Sequence, residues 1–194
     1  MFNGIIYNQG KIQNLFFSKN GCQIEILKNK SFIIPKIGSS ISCDGVCLTL
    51  TKKKLNTMFF YLSKETLHRS TFKKMRIGQL INMEQSLKLG DNISGHFVQG
   101  HVDCTGVIKR MSISKKVWTI RFAIPNIYNK YIAEKGSIVI NGVSLTVSKI
   151  IKNNFEVTII PHTLKITNLI NLKVANEVNV ELDMFSKYIF KLNN

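Results

Sequence analysis

Asp44-Gly45-Val46-Cys47-Leu48-Thr49-Leu50 returns later in the chain as Asn141-Gly142-Val143-Ser144-Leu145-Thr146-Val147. The two stretches lie 97 residues apart in a chain of 194. Held at that offset without a gap, residues 44–84 and 141–181 share ten identities in 41 positions. They fall at Gly45, Val46, Leu48, Thr49, Lys52, Asn56, Thr66, Leu67, Asn82 and Glu84. Roughly three are expected by chance at ordinary composition. Leu50/Val147, Leu62/Ile159, Ile77/Val174 and Ile81/Val178 add similar pairs. The chain therefore reads as a duplicated domain of just under 100 residues. Two copies are too few for a solenoid, so the pattern predicts paired globular domains.

Each copy reads as β structure. Val46, Leu48 and Leu50 alternate with Cys47, Thr49 and Thr51, and Val143, Leu145 and Val147 alternate with Ser144, Thr146 and Ser148. That is period two, with one apolar face and one small polar face. Further strands are predicted at 57–63 and 154–160, and at 79–84 and 176–182. Turn signals stand between them at Asn153-Asn154, Lys135-Gly136 and Ile37-Gly38. Many short strands at this spacing predict a small barrel or sandwich per copy. Two short helices are predicted, at 125–134 after Pro125 and at 184–192. The glycine-bearing stretch Leu89–His96 reads as the boundary between copies. The expected units are 1–90, 91–183 and a helical tail at 184–194.

Hydrophobic residues make up 44% of the chain, enough for a core and too many for disorder. The longest apolar runs, such as Met58–Leu62, fall far short of the roughly 18 residues of a membrane helix. Met1-Phe2-Asn3-Gly4-Ile5-Ile6 lacks the basic stretch and apolar block of a signal peptide, so a cytoplasmic protein with no membrane partner is expected. The net charge is +16, but 23 of the 27 basic residues are Lys and only 4 are Arg. Lys, Asn, Ile and Phe have A/T-rich codons, and the chain holds 19 Asn and 27 Ile against 3 Ala. Genome composition thus explains much of the charge. A nucleic-acid surface favours Arg and clusters its charge, so no nucleic-acid partner is expected. Cys22, Cys43, Cys47 and Cys104 include no Cys-x-x-Cys, and His96, His101 and Cys104 lack a fourth ligand at zinc spacing. No metal is expected.

The polar strand faces carry Cys47 and Thr49 in one copy, Ser144 and Thr146 in the other. Small donors and acceptors on a strand can line a pocket for the edges of a flat heterocycle. Polar strand faces also simply meet solvent, but here the same face is small and polar twice. Thr66-Leu67 and Thr163-Leu164, after Lys64-Glu65 and Pro161-His162, are candidates to complete each pocket. The copies differ at chemically useful positions. Cys47 matches Ser144, Glu65 matches His162, and at the same offset His101 matches Gly4. A cysteine on a strand is more often buried filler than a nucleophile, whereas a histidine is an ordinary acid–base group near neutral pH. No serine-hydrolase triad order, phosphate loop or nucleotide fingerprint is present.

Met1–Ile6, Asp44–Leu50, Lys64-Glu65-Thr66-Leu67, Gly95-His96-Phe97-Val98-Gln99-Gly100-His101-Val102-Asp103, Asn141–Val147 and Ile160-Pro161-His162-Thr163-Leu164 together resemble riboflavin synthase of the alpha-chain type. The resemblance runs in order along essentially the whole chain. It implies an all-β fold of two similar six-stranded antiparallel Greek-key β-barrels with a short C-terminal helix, assembled as a homotrimer. It implies dismutation of two 6,7-dimethyl-8-ribityllumazine molecules to riboflavin and 5-amino-6-(ribitylamino)uracil with no added cofactor. Carried over residue by residue, it implies ligand contacts at Gly4, Ile5 and Ile6, at Cys47, Leu48 and Thr49, and at Tyr61, Leu62, Ser63, Lys64, Glu65 and Thr66. The second copy contributes Gly100, His101 and Val102, Lys135, then Ser144, Leu145 and Thr146, and Thr158, Ile159, Ile160, Pro161, His162 and Thr163. The working site is implied to lie between the N-terminal barrel of one subunit and the C-terminal barrel of another. Ser94 and Cys104 depart from the family's usual glycine and small residue.

The reaction suits a duplication. Two identical substrates need two similar pockets, and their opposite roles need those pockets to differ. Cys47 and His101, which break the repeat, are the expected catalytic residues. Two other readings are a non-catalytic lumazine or flavin carrier of the same fold and a basic barrel binding single-stranded nucleic acid. The carrier would tolerate decay of one pocket, and both are intact here. The nucleic-acid barrel would need aromatic platforms along a basic groove, and the single Trp118 matches no paired motif.

Overall fold

Alternation of apolar and polar residues builds twelve strands in a computed structural model that describes residues 1–192. The first barrel uses β1 (Asn8–Ser18), β2 (Gly21–Lys28), β3 (Ser40–Cys43), β4 (Val46–Lys53), β5 (Thr57–Ser63) and β6 (Leu80–Gln85). The second uses β7 (Cys104–Ser114), β8 (Val117–Ala123), β9 (Ser137–Ile140), β10 (Val143–Ile151), β11 (Asn154–Ile159) and β12 (Glu177–Leu182). Around the first barrel the order is β1-β2-β5-β4-β3-β6, and β7-β8-β11-β10-β9-β12 repeats it. All pairings are antiparallel, and each barrel closes on itself, which removes the exposed sheet edges of an open structure. Short helices α1 (Lys64–Arg69) and α2 (Pro161–Ile166) follow equivalent strands, and α3 (Met184–Leu192) ends the described chain. Asn193 and Asn194, the end of the expected tail, lie outside the described residues. Among the described residues no helix is long and apolar enough to cross a membrane.

The sequence motif that betrays the repeat makes the same hairpin twice. Asp44-Gly45 joins β3 to β4 with φ of 45° and 80°, and Asn141-Gly142 joins β9 to β10 with φ of 46° and 79°. Two successive left-handed residues give the turn whose twist suits a two-residue hairpin, and Asp-Gly and Asn-Gly are its preferred pairs. Val46, Leu48 and Leu50 then point into the first core with Ile24 and Phe60. Val143 and Val147 enter the second core, where the Phe122 and Phe155 rings stack 5.5 Å apart. Each of these large buried side chains contributes about 1.5–3 kcal/mol of hydrophobic stabilisation. Equivalent bulges interrupt β4 and β10, between Leu50 and Lys52 and between Val147 and Lys149. Thr51 and Ser148 donate their hydroxyls back to the neighbouring strand, to the carbonyls of Phe59 and Glu156.

The segment predicted as a helix at 125–134 is instead a tighter 3₁₀ turn at Asn126–Tyr131, with Pro125 as its N-cap residue. The Tyr128 amide donates to the Pro125 carbonyl at 3.0 Å, the i to i+3 bond that defines the tighter turn. The connection β8–β9 is also one residue longer than would keep a single offset. β1 and β2 match β7 and β8 at a separation of 96, while β3 to β6 match β9 to β12 at 97.

The barrels meet through reciprocal contacts. Asn82 Nδ2 donates to the Asn141 carbonyl at 2.9 Å, and Asn179 Nδ2 donates to the Asp44 carbonyl at 2.8 Å. The Asn82 amide donates to Asp44 Oδ1 and the Asn179 amide to Asn141 Oδ1, at 2.7 and 2.8 Å. Gly45 and Gly142 pass backbone to backbone. A Cβ on either would lie 2.8 Å from the other's nitrogen, so neither position admits a side chain. Asn168 Nδ2 adds a second donor to Asp44 Oδ1 at 2.8 Å.

Burial pushes the Asp44 carboxyl from 3.8 up to about 7, against the opposing donors Asn82 and Asn168. A raised carboxyl contributes stability that is full below about pH 4 and is lost as pH rises through 7. Asp44→Asn copies the residue of the second copy and cannot ionise. Its stability relative to the parent chain should therefore grow between pH 4 and pH 8, read as urea midpoints at both ends. A constant difference across that range would show that Asp44 does not titrate in the fold.

Candidate active site

The seam between β4 and β5 is only half closed. Leu50 pairs with Phe60, but the ladder does not continue toward Cys47. Cys47 and Thr49 pair on their other side with Ser42 and Ser40 of β3, while Tyr61 and Ser63 pair with Gln23 and Gly21 of β2. The second barrel repeats this. Val147 pairs with Val157, Ser144–Thr146 pair with Ser137–Val139 of β9, and Thr158 and Ile159 pair with Thr119 and Trp118 of β8. Each split leaves strand amides that need acceptors.

Those acceptors come from the opposite repeat. The Cys47 amide donates to the Gly100 carbonyl and the Ser144 amide to the Gly4 carbonyl, both at 2.8 Å. Residues 2–6 thus lie against the second barrel, where Ile6 joins its core, and residues 98–102 lie against the first, where Val102 packs on its core. The two segments pass each other at an antiparallel bridge between Phe2 and Val98, with N–H···O distances of 2.7 and 3.1 Å. Glu84 accepts the amides of Asn3 and Gly4 at 2.7 and 3.0 Å. Glu181 accepts those of Gln99, Gly100 and His101 at 2.7, 2.9 and 3.0 Å. Burial pushes both carboxyls up to about 7, and the amide donors oppose it.

Two expectations are corrected by this crossing. The partner of His101 is Ile5, not Gly4, because the first segment of each copy follows the separation of 96; Gly4 matches Gly100. The pocket residues also do not group by copy. Gly100, His101 and Val102 accompany Cys47, Leu48 and Thr49, while Gly4, Ile5 and Ile6 accompany Ser144, Leu145 and Thr146.

Within the first cleft Cys47 is half-buried and Thr49, Tyr61 and His101 are exposed. Leu48 and Leu62 belong to the core, so only their backbones are available there. Ser63 caps α1, its Oγ accepting the Thr66 amide at 3.1 Å and lying 3.0 Å from Thr66 Oγ1. Lys64 is exposed, and Glu65 is paired with Arg69. In the second cleft Thr146, Thr158, Ile160, Pro161 and His162 are exposed, whereas Ile159 is core. Thr163 is half-buried, and its carbonyl accepts the Thr167 hydroxyl at 2.7 Å. Exposed Lys135 sits at a left-handed turn, φ 67°, its amide donating to Val147 at 2.8 Å. Leu67 is half-buried against the first core, and Leu164 is buried in the second.

His96 stands in the Gly95–Asp103 motif but is not among the expected site residues. Its Nδ1 lies 2.7 Å from Ser144 Oγ, and burial holds its imidazole below the usual histidine range, with Asp183 opposing. Its Nε2 is buried with no hydrogen-bond partner among the described residues. The second cleft thus pairs a hydroxyl with a neutral imidazole, while the first presents a thiol. The signal for His96 was its place in Gly95–Asp103; for Glu84 and Glu181 it was identity across the repeat in a chain with only 11 acidic residues.

A concavity of about 630 Å³ lies elsewhere. It is a groove between the barrels lined by Asp44, Lys74, Asn141, Asn168 and Glu177, and it includes no residue of either cleft. The clefts carry the repeated motifs and their differences, and they are the stronger candidate. The geometry defines a tandem-barrel protein with one split seam per barrel, each bordered by a segment of the other repeat. A family model described as the lumazine binding domain matches residues 3–86 and again 99–183. The riboflavin synthase of Photobacterium phosphoreum is 37% identical over 195 residues, covering 99% of this chain and 88% of its own. That of Chlamydia trachomatis serovar D is 38% identical over 188 residues, covering 96% and 92%. A crystal structure of LumP complexed with riboflavin shares the fold, with a TM-score of 0.86 at 23% identity over 94% of this chain and 99% of that one. The chain belongs to the riboflavin synthase family of paired lumazine-binding domains.

Gly100 holds φ at 79°, and a Cβ there would sit 2.7 Å from Cys47 Cβ and 3.0 Å from Cys47 N. Gly100→Ala should cost roughly 2–4 kcal/mol, from the left-handed conformation and the overlap together. Urea unfolding checks this; a cost below about 0.5 kcal/mol would mean that the segment does not dock on β4.

Proposed function

We propose that this chain is a riboflavin synthase that converts two 6,7-dimethyl-8-ribityllumazine molecules into riboflavin and 5-amino-6-(ribitylamino)uracil. The observation that carries the reading is the near full-length match to riboflavin synthases, spanning both copies and both clefts. The lumazine-binding units are taken as 1–90 and 91–183, each lending its first segment to the other, with 184–194 as a tail.

The chemistry moves a four-carbon unit from one lumazine to the other. It needs proton removal from a ring methyl, addition at a ring carbon and two eliminations. Two flat rings held face to face gain from orientation alone, up to ~7–11 kcal/mol in favourable cases. General acid–base groups add about 10²–10⁴-fold each. The unequal clefts supply unequal roles. Cys47 and His101 border the first, His101 carrying the proton and Cys47 standing beside the attacked carbon. Ser144 with His96 borders the second. No added cofactor enters this scheme. The reading places the enzyme in the cytoplasm.

The same reading makes the protein a homotrimer whose working site joins the first barrel of one subunit to the second barrel of another. The support for an interface is α3. Phe185, Tyr188, Ile189 and Leu192 are more than half exposed on it, while Lys187 ties it to Asp103 at 3.0 Å. Truncation after Asp183 should reduce oligomerisation and turnover together, read by sedimentation and assay. A fully active truncated monomer would refute the role of α3.

The direct test is to incubate the pure protein with 6,7-dimethyl-8-ribityllumazine alone and follow riboflavin by absorbance. Binding without turnover would make it a carrier. His101→Ala should lower kcat at least tenfold with a smaller change in KM, as expected for a proton-transfer group. Cys47→Ser copies Ser144 and should fold. A loss above tenfold, over ~1.4 kcal/mol of barrier, identifies a nucleophile, and a smaller loss mainly in KM identifies a cleft wall.

A further inference from the structure

The two crossing segments are each held by one carboxylate from their own side. Glu181 on β12 of the second barrel collects three consecutive amides, Gln99, Gly100 and His101. Glu84 on β6 of the first barrel collects Asn3 and Gly4. Both side chains are buried, at 2% and 9% exposure, and both occupy the same place in the repeat. A run of amides turned toward one point by a left-handed glycine is a concave anion site, and an ionised carboxylate, which only accepts, fits it. Each segment then forms part of the opposite cleft, through Gly100 on Cys47 and through Gly4 on Ser144.

We propose that Glu84 and Glu181 are positioning residues wired crosswise: Glu181, in the second barrel, shapes the first barrel's cleft, and Glu84, in the first barrel, shapes the second's. The proposal rests on the reading of the two clefts as ligand sites. Glu181 places His101 and the carbonyl that meets Cys47; Glu84 places Ile5 and the carbonyl that meets Ser144. Neither carboxylate need touch the ligand. A purely structural anchor would weaken both clefts alike or neither, whereas a crossed one acts on the cleft of the other barrel.

Riboflavin is the probe, and quenching of its fluorescence reports binding to the full-length protein. Thr49→Arg and Thr146→Arg fill the first and second clefts, so each leaves the other to be read alone. In the Thr146→Arg background, Glu181→Gln should weaken riboflavin binding at least tenfold, while Glu84→Gln should change it less than twofold. In the Thr49→Arg background the order should reverse. Thermal midpoints of the two Gln variants should fall by similar amounts. Should Glu181→Gln fail to fold, Glu181→Asp keeps the charge, shortens the reach and should weaken the same cleft. Equal weakening of both clefts, effects confined to the mutated barrel, or unchanged affinity would each overturn the proposal. If neither Arg substitution removes a riboflavin site, the assignment of the clefts fails and the proposal with it. That outcome is separate, because it shows already in the single variants.

Discussion

Strand amides left open by a split seam are the constraint on which the rest of this molecule turns. A closed barrel normally satisfies every rung from its own strands. Here β4 and β10 part from β5 and β11 at one end, and the amides of Cys47 and Ser144 must find acceptors elsewhere. A buried, unpaired amide costs about 1–3 kcal/mol. Solvent would satisfy them, but only by flooding the strand. The protein instead brings in an extended segment from the other repeat, so that neither barrel is complete without its twin. The glycines at 4 and 100, the two buried glutamates and the Phe2–Val98 bridge all follow from this exchange.

The exchange also shows how halves with one backbone plan carry different side chains at equivalent places. The framework is common: the same strand order, the same hairpin turn, the same bulge closed by a hydroxyl, the same glutamate. Among the many positions where the halves differ, a few border the clefts or the junction. Cys47 faces Ser144's position, His101 faces Ile5's, and His96 comes from the connection between the barrels and has no counterpart. These side chains thus vary at positions where the backbone does not depend on them.

The duplication, strands β4, β5 and β6 and their partners were legible in the sequence because period-two patterning and identity at a fixed offset act on neighbouring residues, and the final helix was legible from apolar residues four apart. The family and both cleft strands were legible from the same motifs. The crossing was not. Which segment borders Cys47 depends on contacts across more than fifty residues, and no local pattern encodes it. The offset changes by one within the β8–β9 connection, so a rigid comparison set His101 against Gly4 and hid the equivalence of Gly4 with Gly100. The 3₁₀ turn at 126–131 was missed for a different reason. Over six residues, apolar spacing does not separate an α-helix from a 3₁₀ turn. Leu48, Leu62 and Ile159 stand among the expected contacts, and their side chains lie in the barrel cores.

The contacts between Asn82 and Asn141 and between Asn179 and Asp44 are the same contact written twice, once in each direction. Such reciprocity is what a two-fold axis imposes on a pair of identical chains, where a residue and its image must change together. A single-barrel ancestor with these surfaces would have been a homodimer with exchanged N-terminal arms and two equal clefts. Two halves joined in one chain are free of that rule. A substitution could then enter on one side of the axis only, and aspartate opposite asparagine at 44 and 141 is the mark of that freedom at the axis itself.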